Sequence, residues 1–569
     1  MKDILSLGKR LFRNDFLIAF LVLVVFLLTN RYVYGWDDQH LEIPLLKHLI
    51  DPQLYAGDYY VEALSRHFST YLFPILARFI TVDMIPTVYL GLYVIVRFFF
   101  FYWVFRLWYW ISRDRITALL ATLSLFLLGR TEEFIYRTFS HEEFSFAIIF
   151  AGFFFFYRER LILAAILMGI AANFHALYAL FPMLFLTAYA LFFVRDRGKT
   201  FLLTGLAFTI CALPFILWHI PQAASLARIP VPASEWVPLY LLACPQCFPL
   251  GNGNPEDVIK GVGDLIQRLY PYLFLILLYA GHCVFNVDFR RDKKAHVIFW
   301  VSTVFVGASF FFAYVIPNRF VLDLNLTRFA EFLHFFLIGY TVLFLMQVAR
   351  RKNVVWTLLA VILVALIGWA DAPGLLGKVL RYWWILAAAG ISCGLLFWQR
   401  SSPKADLFRK AVFAVPFAGM IIVYLILHFN YVQIMEKGGG FWQLQRNWED
   451  MQRYVRDHTP KEATILTPYD MEMGGFRIHS NRKVVVCYRD CGVIGFDFKA
   501  AQEWQQRVKD VEAFKVMTRG DIRSALINAI GKYKADYIVF MNYYAPGEGT
   551  AFLKREYGNE VFSLYHVAR

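Results

Sequence analysis

Long apolar runs separated by short basic clusters make up the first three quarters of the chain. The first run, residues 16–28, follows four basic residues, and no small-residue cleavage pattern comes after it. This pattern predicts a retained transmembrane helix rather than a cleaved signal peptide. Further apolar runs follow, and basic clusters separate them at 113–115, 158–160, 195–199, 290–294, 350–352 and 400–404.

The basic clusters predict the topology of the membrane domain, residues 1–430. Lysine and arginine accumulate in cytoplasmic loops, so we place all of these clusters on the cytoplasmic side. About thirteen spans then fit, several of them shorter than the roughly 20 residues of a full crossing. An odd number of spans puts the C-terminus outside, together with four polar outer segments at 31–69, 130–143, 219–268 and 317–328. We therefore expect a multi-pass protein of the plasma (inner) membrane with a cytoplasmic N-terminus.

The composition changes after residue 430. Residues 431–442 contain three consecutive glycines, which predict a flexible linker. Residues 443–569 have the pattern of a soluble extracytoplasmic α/β domain, with helical spacing at 448–458 and 521–533 and short β-type runs at 463–466, 484–487 and 537–541.

Composition agrees with a lipid environment for most of the chain. Hydrophobic residues make up 59% and charged residues 18%, whereas a soluble domain carries about 25% charge. These values exclude a soluble enzyme, a coiled coil and a disordered chain. The net charge of +14 is distributed among the loops and not gathered on one soluble face, so nucleic acid is not an expected partner.

An acidic pair, Asp37 and Asp38, lies in the outer segment directly after the first span. Carboxylates at a membrane face are costly unless they are solvated or used. If a helix begins here, Asp38 and Glu42 share a face, and either aspartate can cap the helix. One interpretation is helix capping in a hydrated loop. The other is a general base that deprotonates an acceptor hydroxyl.

The second outer segment is rich in acids and also contains arginine and histidine: Glu132, Glu133, Arg137, His141 and Glu142. A helix would align Glu133, Arg137 and His141 on one face. The segment predicts either a salt-bridged helix at the membrane interface or the polar wall of a site, in which Arg137 or His141 meets a phosphate. It holds no zinc-protease motif, because position 145 is serine where a second histidine would be needed.

Three further residues are candidates because of their positions. His175 interrupts an apolar region, where a histidine is either a hydrogen-bonded core residue or an ionisable functional group. Arg319 and Arg328 belong to the fourth outer segment. A guanidinium there either extends to the interface as an ordinary surface group or binds a lipid phosphate, whose oxygens it matches bidentately.

The cysteines and the glycine motifs give weaker signals. Cys244 and Cys247 form a CxxC string without a thioredoxin-like frame, which predicts an oxidised loop staple in an outer compartment. Cys487 and Cys491 could pair only if the residues between them turn back. The sequence contains no phosphate-binding loop or dinucleotide fingerprint, so no nucleotide cofactor is expected. The acidic segments alone do not demonstrate a metal.

The layout resembles the GT-C superfamily of integral-membrane glycosyltransferases, particularly the branch of protein mannosyltransferases and lipid A aminoarabinose transferases. The resemblance is carried by Asp37 and Asp38 after the first span, about thirteen spans, large outer segments and a soluble C-terminal domain. It implies a GT-C-like fold, that is, an α-helical polytopic membrane protein with a C-terminal soluble α/β domain. Members of this branch are mostly metal-independent.

The resemblance also implies a reaction. A sugar would pass from a polyprenyl-phosphate-linked donor to a lipid, glycan or protein acceptor at the extracytoplasmic face, with inversion at the anomeric carbon. Asp37 or Asp38 would be the base. The candidates for holding the donor phosphate would be Arg328, Arg319, Arg137, His141 and His175, and the further acids of the site would be Glu42, Glu132, Glu133 and Glu142.

Two other classes of function remain open at this stage. A transporter or flippase of a lipid-linked glycan would have repeated halves and polar residues near the middle of the membrane, whereas here they crowd the outer face. A non-catalytic assembly component, or a polysaccharide polymerase or ligase, would use the C-terminal domain as a docking module.

Overall fold

The computed structural model describes residues 14–30, 32–66, 70–127, 134, 136–226, 231–251, 262–350, 441–468, 475–495, 497–516, 522–546 and 552–568. Up to residue 350 the described elements are helices: α1 (Asp15–Thr29), α2 (Gln39–Ile50), α3 (Tyr59–Arg66), α4 (Leu72–Ala77), α5 (Ile85–Ser112), α6 (Arg115–Leu127), α7 (His141–Tyr157), α8 (Leu161–Ala172), α9 (Ala176–Phe193), α10 (Arg197–Leu226), α11 (Ala233–Ala243), α12 (Val262–Phe285), α13 (Val287–Arg291), α14 (Lys293–Tyr314), α15 (Arg319–Asp323) and α16 (Phe329–Arg350).

The C-terminal part combines helices with a small sheet. Its elements are α17 (Phe441–His458), β1 (Thr464–Leu466), α18 (Phe476–Ser480), β2 (Lys483–Val484), α19 (Phe498–Val516), α20 (Ile522–Tyr533), β3 (Tyr537–Met541), β4 (Leu553–Gly558) and β5 (Phe562–Val567). A 3-10 segment, Tyr488–Gly495, lies between β2 and α19.

Among the described residues, six helical stretches are long and apolar enough to cross a membrane: Val82–Ser112, Ala176–Phe193, Arg197–His219, Arg268–Phe285, Lys293–Tyr314 and Leu326–Val348. Three shorter apolar helices accompany them. The chain is therefore a polytopic, helical membrane protein with a small C-terminal sheet domain, as predicted. The count of thirteen spans stays a prediction, since the spans expected between residues 351 and 429 lie outside the described part of the chain.

Aromatic side chains fill the space between the spans. Phe150 of α7 meets Phe100 of α5 at 5.0 Å and Phe335 of α16 at 4.7 Å, both edge to face, which is a favourable geometry for aromatic pairs. Gly339 of α16 lies against the ring of Trp108, and a Cβ at this position would be only 1.9 Å from that ring. The contact of α16 with α5 therefore requires glycine here.

Three of the basic clusters, 113–115, 158–160 and 290–294, meet at one end of the helix bundle. The guanidinium groups of Arg113 and Arg158 lie over the ring of Trp110, at 3.8 Å and 4.9 Å from its centroid. Lys294, from a third cluster, pairs with Glu159 of the second. We call this the basic end of the bundle. Helices α7, α9 and α16 run through the bundle in the same direction. All three begin at the opposite end and end at the basic end.

The C-terminal sheet has the strand order β2-β1-β3-β5-β4. Strands β2, β1 and β3 are parallel neighbours, whereas β5 is antiparallel to both β3 and β4. Helix α17 covers one face of this sheet with the buried side chains of Trp448, Met451 and Val455. The sequence pattern predicted β1, β3, α17 and α20, whereas the strand predicted at 484–487 coincides with β2 only at Val484, and β4 and β5 were not predicted.

A buried ion triad joins the C-terminal domain to the segment that follows α1, residues 31–69. The guanidinium of Arg477 in α18 contacts Asp58 at 2.8 Å and Asp490 at 2.8 Å, and all three side chains are at most 4% exposed. Lys47 of α2 adds a contact of 2.7 Å between its Nζ and the Asn481 side-chain oxygen. The C-terminal domain is therefore fixed on the segment that contains Asp37 and Asp38.

The segments predicted as outer loops contain helices of their own. Residues 31–69 include α2 and α3, and 317–328 includes α15. The predicted linker 431–442 lies mostly outside the described residues, and its last two residues belong to α17. The stripe that Glu133, Arg137 and His141 would form in a helix does not extend from Arg137 to His141, because residues 136–140 are not helical and α7 begins only at His141.

The predicted disulfide staple is wrong. Cys244 and Cys247 are free thiols, as are Cys487 and Cys491. Cys247 is buried, and its Sγ lies 3.7 Å from the carbonyl oxygen of Leu322, with which it forms a hydrogen bond.

Replacing Arg477 with leucine should destabilise the attachment of the C-terminal domain. Arg477→Leu leaves two buried carboxylates without a counter-charge, which typically costs about 3–5 kcal/mol. We expect a lower apparent melting temperature and earlier proteolytic release of the domain in the purified full-length protein. In the control Arg453→Leu, an exposed pair with Glu449 at 3.3 Å is lost, and the cost should stay below about 1 kcal/mol. Equal melting of the two variants would contradict a stabilising triad.

Candidate functional site

The N-termini of three helices meet at the end of the bundle that lies opposite the basic end. Glu42 in the first turn of α2 contacts His141, the first residue of α7. Glu142, the next residue of α7, contacts His175, which caps α9. Helix N-termini carry partial positive charge, so they stabilise carboxylates and other anions placed there. This arrangement explains why acids accumulate in these otherwise apolar surroundings.

Glu42 and His141 form a tight pair between α2 and α7. Oε1 of Glu42 accepts hydrogen bonds from the backbone N–H of His141 at 3.1 Å and from its Nδ1 at 2.5 Å. Burial by itself lowers the pKa of His141, but the hydrogen bond and the charge of Glu42 outweigh it and raise that pKa to about 9. His141 is therefore a cation at neutral pH.

Glu142 binds two further candidates from the sequence. Nδ1 of His175 accepts the backbone N–H of Tyr178 at 3.2 Å, so the ring proton is on Nε2, which donates to Glu142 at 3.0 Å. Arg328 approaches the same Glu142 oxygen at 3.5 Å. The rings of His141 and His175 stack at 5.2 Å, which connects the two pairs. We call the group of Glu42, His141, Glu142, His175 and Arg328 the acid–histidine cluster.

Asp38 lies beside this cluster at the N-cap position of α2, but its side chain makes no capping hydrogen bond. The carboxylate is half-buried, and none of the described residues binds it through a hydrogen bond or an ion pair. Burial raises the pKa of Asp38 well above its usual range, and the negative charges of Glu142, Asp37 and Glu42 raise it further. The capping interpretation of the sequence analysis therefore does not describe the Asp38 side chain.

Asp37 has a different environment from its neighbour. Its backbone adopts a left-handed conformation, with φ of 52°. This conformation helps to direct the two adjacent side chains differently, and Oδ1 of Asp37 contacts Arg489 of the C-terminal domain at 3.1 Å. Arg489 is not among the candidates from the sequence, because nothing in its local pattern indicates that the C-terminal domain packs on this loop.

The remaining sequence candidates are less closely associated with the cluster. Arg319 lies near Tyr240, with its Nε 3.3 Å from the hydroxyl oxygen, and over the ring of Phe498 in the C-terminal domain. Arg137 is half-buried, and its backbone carbonyl accepts the N–H of Val33 at 2.8 Å. Glu132 and Glu133 lie outside the described residues. The roles assigned to all of these residues stay predictions.

Two carboxylate oxygens of the cluster are buried without a hydrogen-bond partner among the described residues. They are Oε2 of Glu42 and Oε2 of Glu142. A buried acceptor without a donor is unfavourable, and natural structures contain few of them. Both oxygens belong to residues whose other oxygen is bound within the cluster.

Comparison with known proteins gives a short family match and a distant structural likeness. A family model described as a domain of unknown function, DUF6798, matches residues 446–511, which include Arg477 and Arg489. No curated protein matches the chain.

The solved structures of ArnT from Cupriavidus metallidurans, bound to undecaprenyl phosphate and in the apo state, are similar to this chain at 10% and 11% identity. In each case the match covers 96% of this chain and 97% of the ArnT chain, with a TM-score of 0.48. ArnT belongs to the GT-C branch that the sequence resembles. At this TM-score the likeness carries no argument about the reaction.

Replacing Glu42 with glutamine should change the protonation of His141. In Glu42→Gln the pKa of His141 should fall from about 9, because the hydrogen bond and the charge of Glu42 are lost while burial still disfavours the imidazolium. Exchange of the imidazole C2 hydrogen, followed by mass spectrometry, measures this pKa in the full-length protein. The stabilisation from the pair should be complete below pH about 6.5 and lost as pH rises through about 9.

The matched control is Glu62→Gln in the same segment, 31–69, where the carboxylate of Glu62 accepts only the N–H of Gly57 among the described residues. His141 should keep its raised pKa in this variant. A value that is unchanged in Glu42→Gln would show that the pair does not control the charge of His141.

Proposed function

We propose that the protein is a membrane glycosyltransferase that moves a sugar from a polyprenyl-phosphate-linked donor to an acceptor, with Asp38 as the general base. The observation that carries the proposal is the unbound, half-buried carboxylate of Asp38 beside the acid–histidine cluster. A general base must be deprotonated and within reach of the acceptor, and a raised pKa strengthens it as a base. Deprotonation of the acceptor hydroxyl, with attack opposite the departing phosphate, gives inversion.

Asp38 fits the role of base better than Asp37. The carboxylate of Asp37 is held by Arg489 at 3.1 Å, and an ion pair lowers the basicity of a carboxylate. Asp38 has no such partner among the described residues. Asp37 then has a positioning role, because it ties the loop to the C-terminal domain.

The same site offers positive charge for a departing phosphate. Arg328 and protonated His141 are the cations of the cluster, and the N-termini of α2, α7 and α9 add partial positive charge. The carboxylates of Glu42 and Glu142 keep these cations in place. A lipid-phosphate donor carries its own leaving group, so the reaction needs no nucleotide site.

The two unsatisfied carboxylate oxygens suit the hydroxyl groups of a sugar. Oε2 of Glu42 and Oε2 of Glu142 are acceptors only, and a sugar ring presents several hydroxyl donors. Binding would satisfy two buried groups that the described residues leave without a donor. This supports a glycosyl donor over a simple lipid phosphate.

The charge distribution supports an orientation of the site. The three basic clusters of the basic end lie opposite Asp38, and such clusters are typical of cytoplasmic loops. We infer that Asp38 and the C-terminal domain are on the extracytoplasmic side, where a flipped lipid-linked donor would be available.

Removing the charge of Asp38 should abolish transfer. In Asp38→Asn, release of polyprenyl phosphate from short-chain polyprenyl-phosphate hexoses and pentoses in proteoliposomes should fall by about 10²–10⁴-fold, the usual contribution of a general base. Asp37→Asn should lose less, since it disturbs only positioning. The control is Asp51→Asn, an exposed aspartate of the same segment.

Full activity of Asp38→Asn would rule out the assigned base. Movement of a lipid-linked glycan across the membrane with no covalent product, in wild type and variant alike, would instead identify a flippase.

The pH profile of the activity should have an acid limb, that is, a fall in rate at low pH, whose midpoint reports the pKa of Asp38. The rate should fall as pH decreases through that pKa, which lies above the usual range of a carboxyl group, because the base becomes protonated. In Glu142→Gln the limb should move to lower pH, since one of the negative charges that raise this pKa is gone. The profile of kcat/KM against pH measures this shift. In the control Glu449→Gln, at an exposed pair of α17, the limb should not move.

A further inference from the structure

A separate cavity of about 720 Å³ lies at the basic end of the bundle. Its walls come from α5, α6, α7, α9, α13, α14 and α16, and three of its lining residues are the cations Arg291, Lys293 and Lys294. Asp38 and the acid–histidine cluster are at the other ends of α7, α9 and α16. The cavity is therefore distinct from the candidate functional site.

The acids that line this cavity are already bound. Glu159 pairs with Lys294 and accepts the hydroxyl of Tyr189 at 2.8 Å. Asp292 accepts the hydroxyl of Tyr340 as well as two backbone N–H groups of α14. Asp288 accepts the side-chain amide of Gln347. The carboxylates of the lining are thus engaged within the protein.

Two of the cations have no such partner. Arg291 and Lys293 are exposed, and neither forms an ion pair with any residue in the described part of the chain. Arg113 and Arg158, stacked on Trp110 in the cavity wall, add two more cations nearby. The lining itself contains three acids and three bases, so the excess positive charge at the cavity comes from Arg113 and Arg158 beside it.

The rim of the cavity also has an apolar component. Nζ of Lys293 lies 5.5 Å from the centroid of Phe193, an aromatic ring that is 41% exposed at the end of a candidate span. Paired cations and aromatic rings at the ends of spans are typical of the membrane interface. Basic pockets between transmembrane helices on the cytoplasmic side are known to bind the phosphates of lipid headgroups.

We propose that this cavity binds a phosphate-bearing anion, with Arg291 and Lys293 as its principal contacts. The guanidinium of Arg291 can hold two phosphate oxygens at once, and Lys293 supplies a point charge at the rim. The phosphate belongs either to a phospholipid headgroup or to a soluble compound. This second site does not depend on the proposed glycosyl transfer.

The test uses the full-length protein in detergent and two probes. Native mass spectrometry measures binding of phosphatidylglycerol against phosphatidylcholine, and calorimetry measures binding of inorganic phosphate. Whichever of the two phosphate probes binds the wild-type protein, the double variant Arg291→Gln, Lys293→Gln should bind it more weakly, by roughly fivefold for each cation removed. Loss of phosphatidylglycerol binding identifies a headgroup, and loss of inorganic phosphate binding identifies a soluble anion.

The matched control is the double variant Arg290→Gln, Lys199→Gln, which removes the same charge from exposed residues of the basic clusters that do not line the cavity. It should keep the wild-type affinity. The proposal is overturned if neither probe binds, if the cavity variant binds as wild type does, or if the control loses as much. Asp38→Asn should bind normally, so failure here is separable from failure of the proposed transferase activity.

Discussion

Arg477 is buried between Asp58 and Asp490, and the arrangement of the candidate site depends on this triad. A guanidinium taken out of water needs its counter-charges, so the segment that contains Asp58 and the domain that contains Asp490 must stay together. Because they are held together, Arg489 reaches Asp37, and the loop with the two aspartates is fixed at one end of the helix bundle.

The two ends of the bundle have opposite electrostatic character for a common structural reason. At the candidate site, the N-termini of α2, α7 and α9 meet, and their partial positive charge stabilises Glu42 and Glu142. At the basic end, arginine and lysine side chains stack on aromatic rings beside a cavity in which Arg291 and Lys293 form no ion pair with the described residues. The proposed proton transfer and the proposed anion binding are thus assigned to opposite ends.

Several site residues could be chosen from the sequence, but their contacts could not. Glu42, His141, Glu142, His175 and Arg328 were candidates because polar groups in apolar surroundings are costly unless they are used. Their pairing was not predictable, since Glu42 and His141 are 99 positions apart and the helical stripe considered for His141 does not extend to it from Arg137. The free thiols of Cys244 and Cys247 were not predictable either, because the spacing of two cysteines in the sequence does not tell whether their sulfur atoms face each other.

The sequence by itself determined that most of the chain is helical and surrounded by lipid, and that a small α/β domain follows. Hydrophobicity and helix signals are local properties, so they can be recognised without knowing the neighbours in space. Only the tertiary structure decided that Asp37 is paired and Asp38 is left without a partner among the described residues. That difference depends on where Arg489 lies, and a contact between such distant parts of the chain is fixed by the packing of the C-terminal domain on the outer helices.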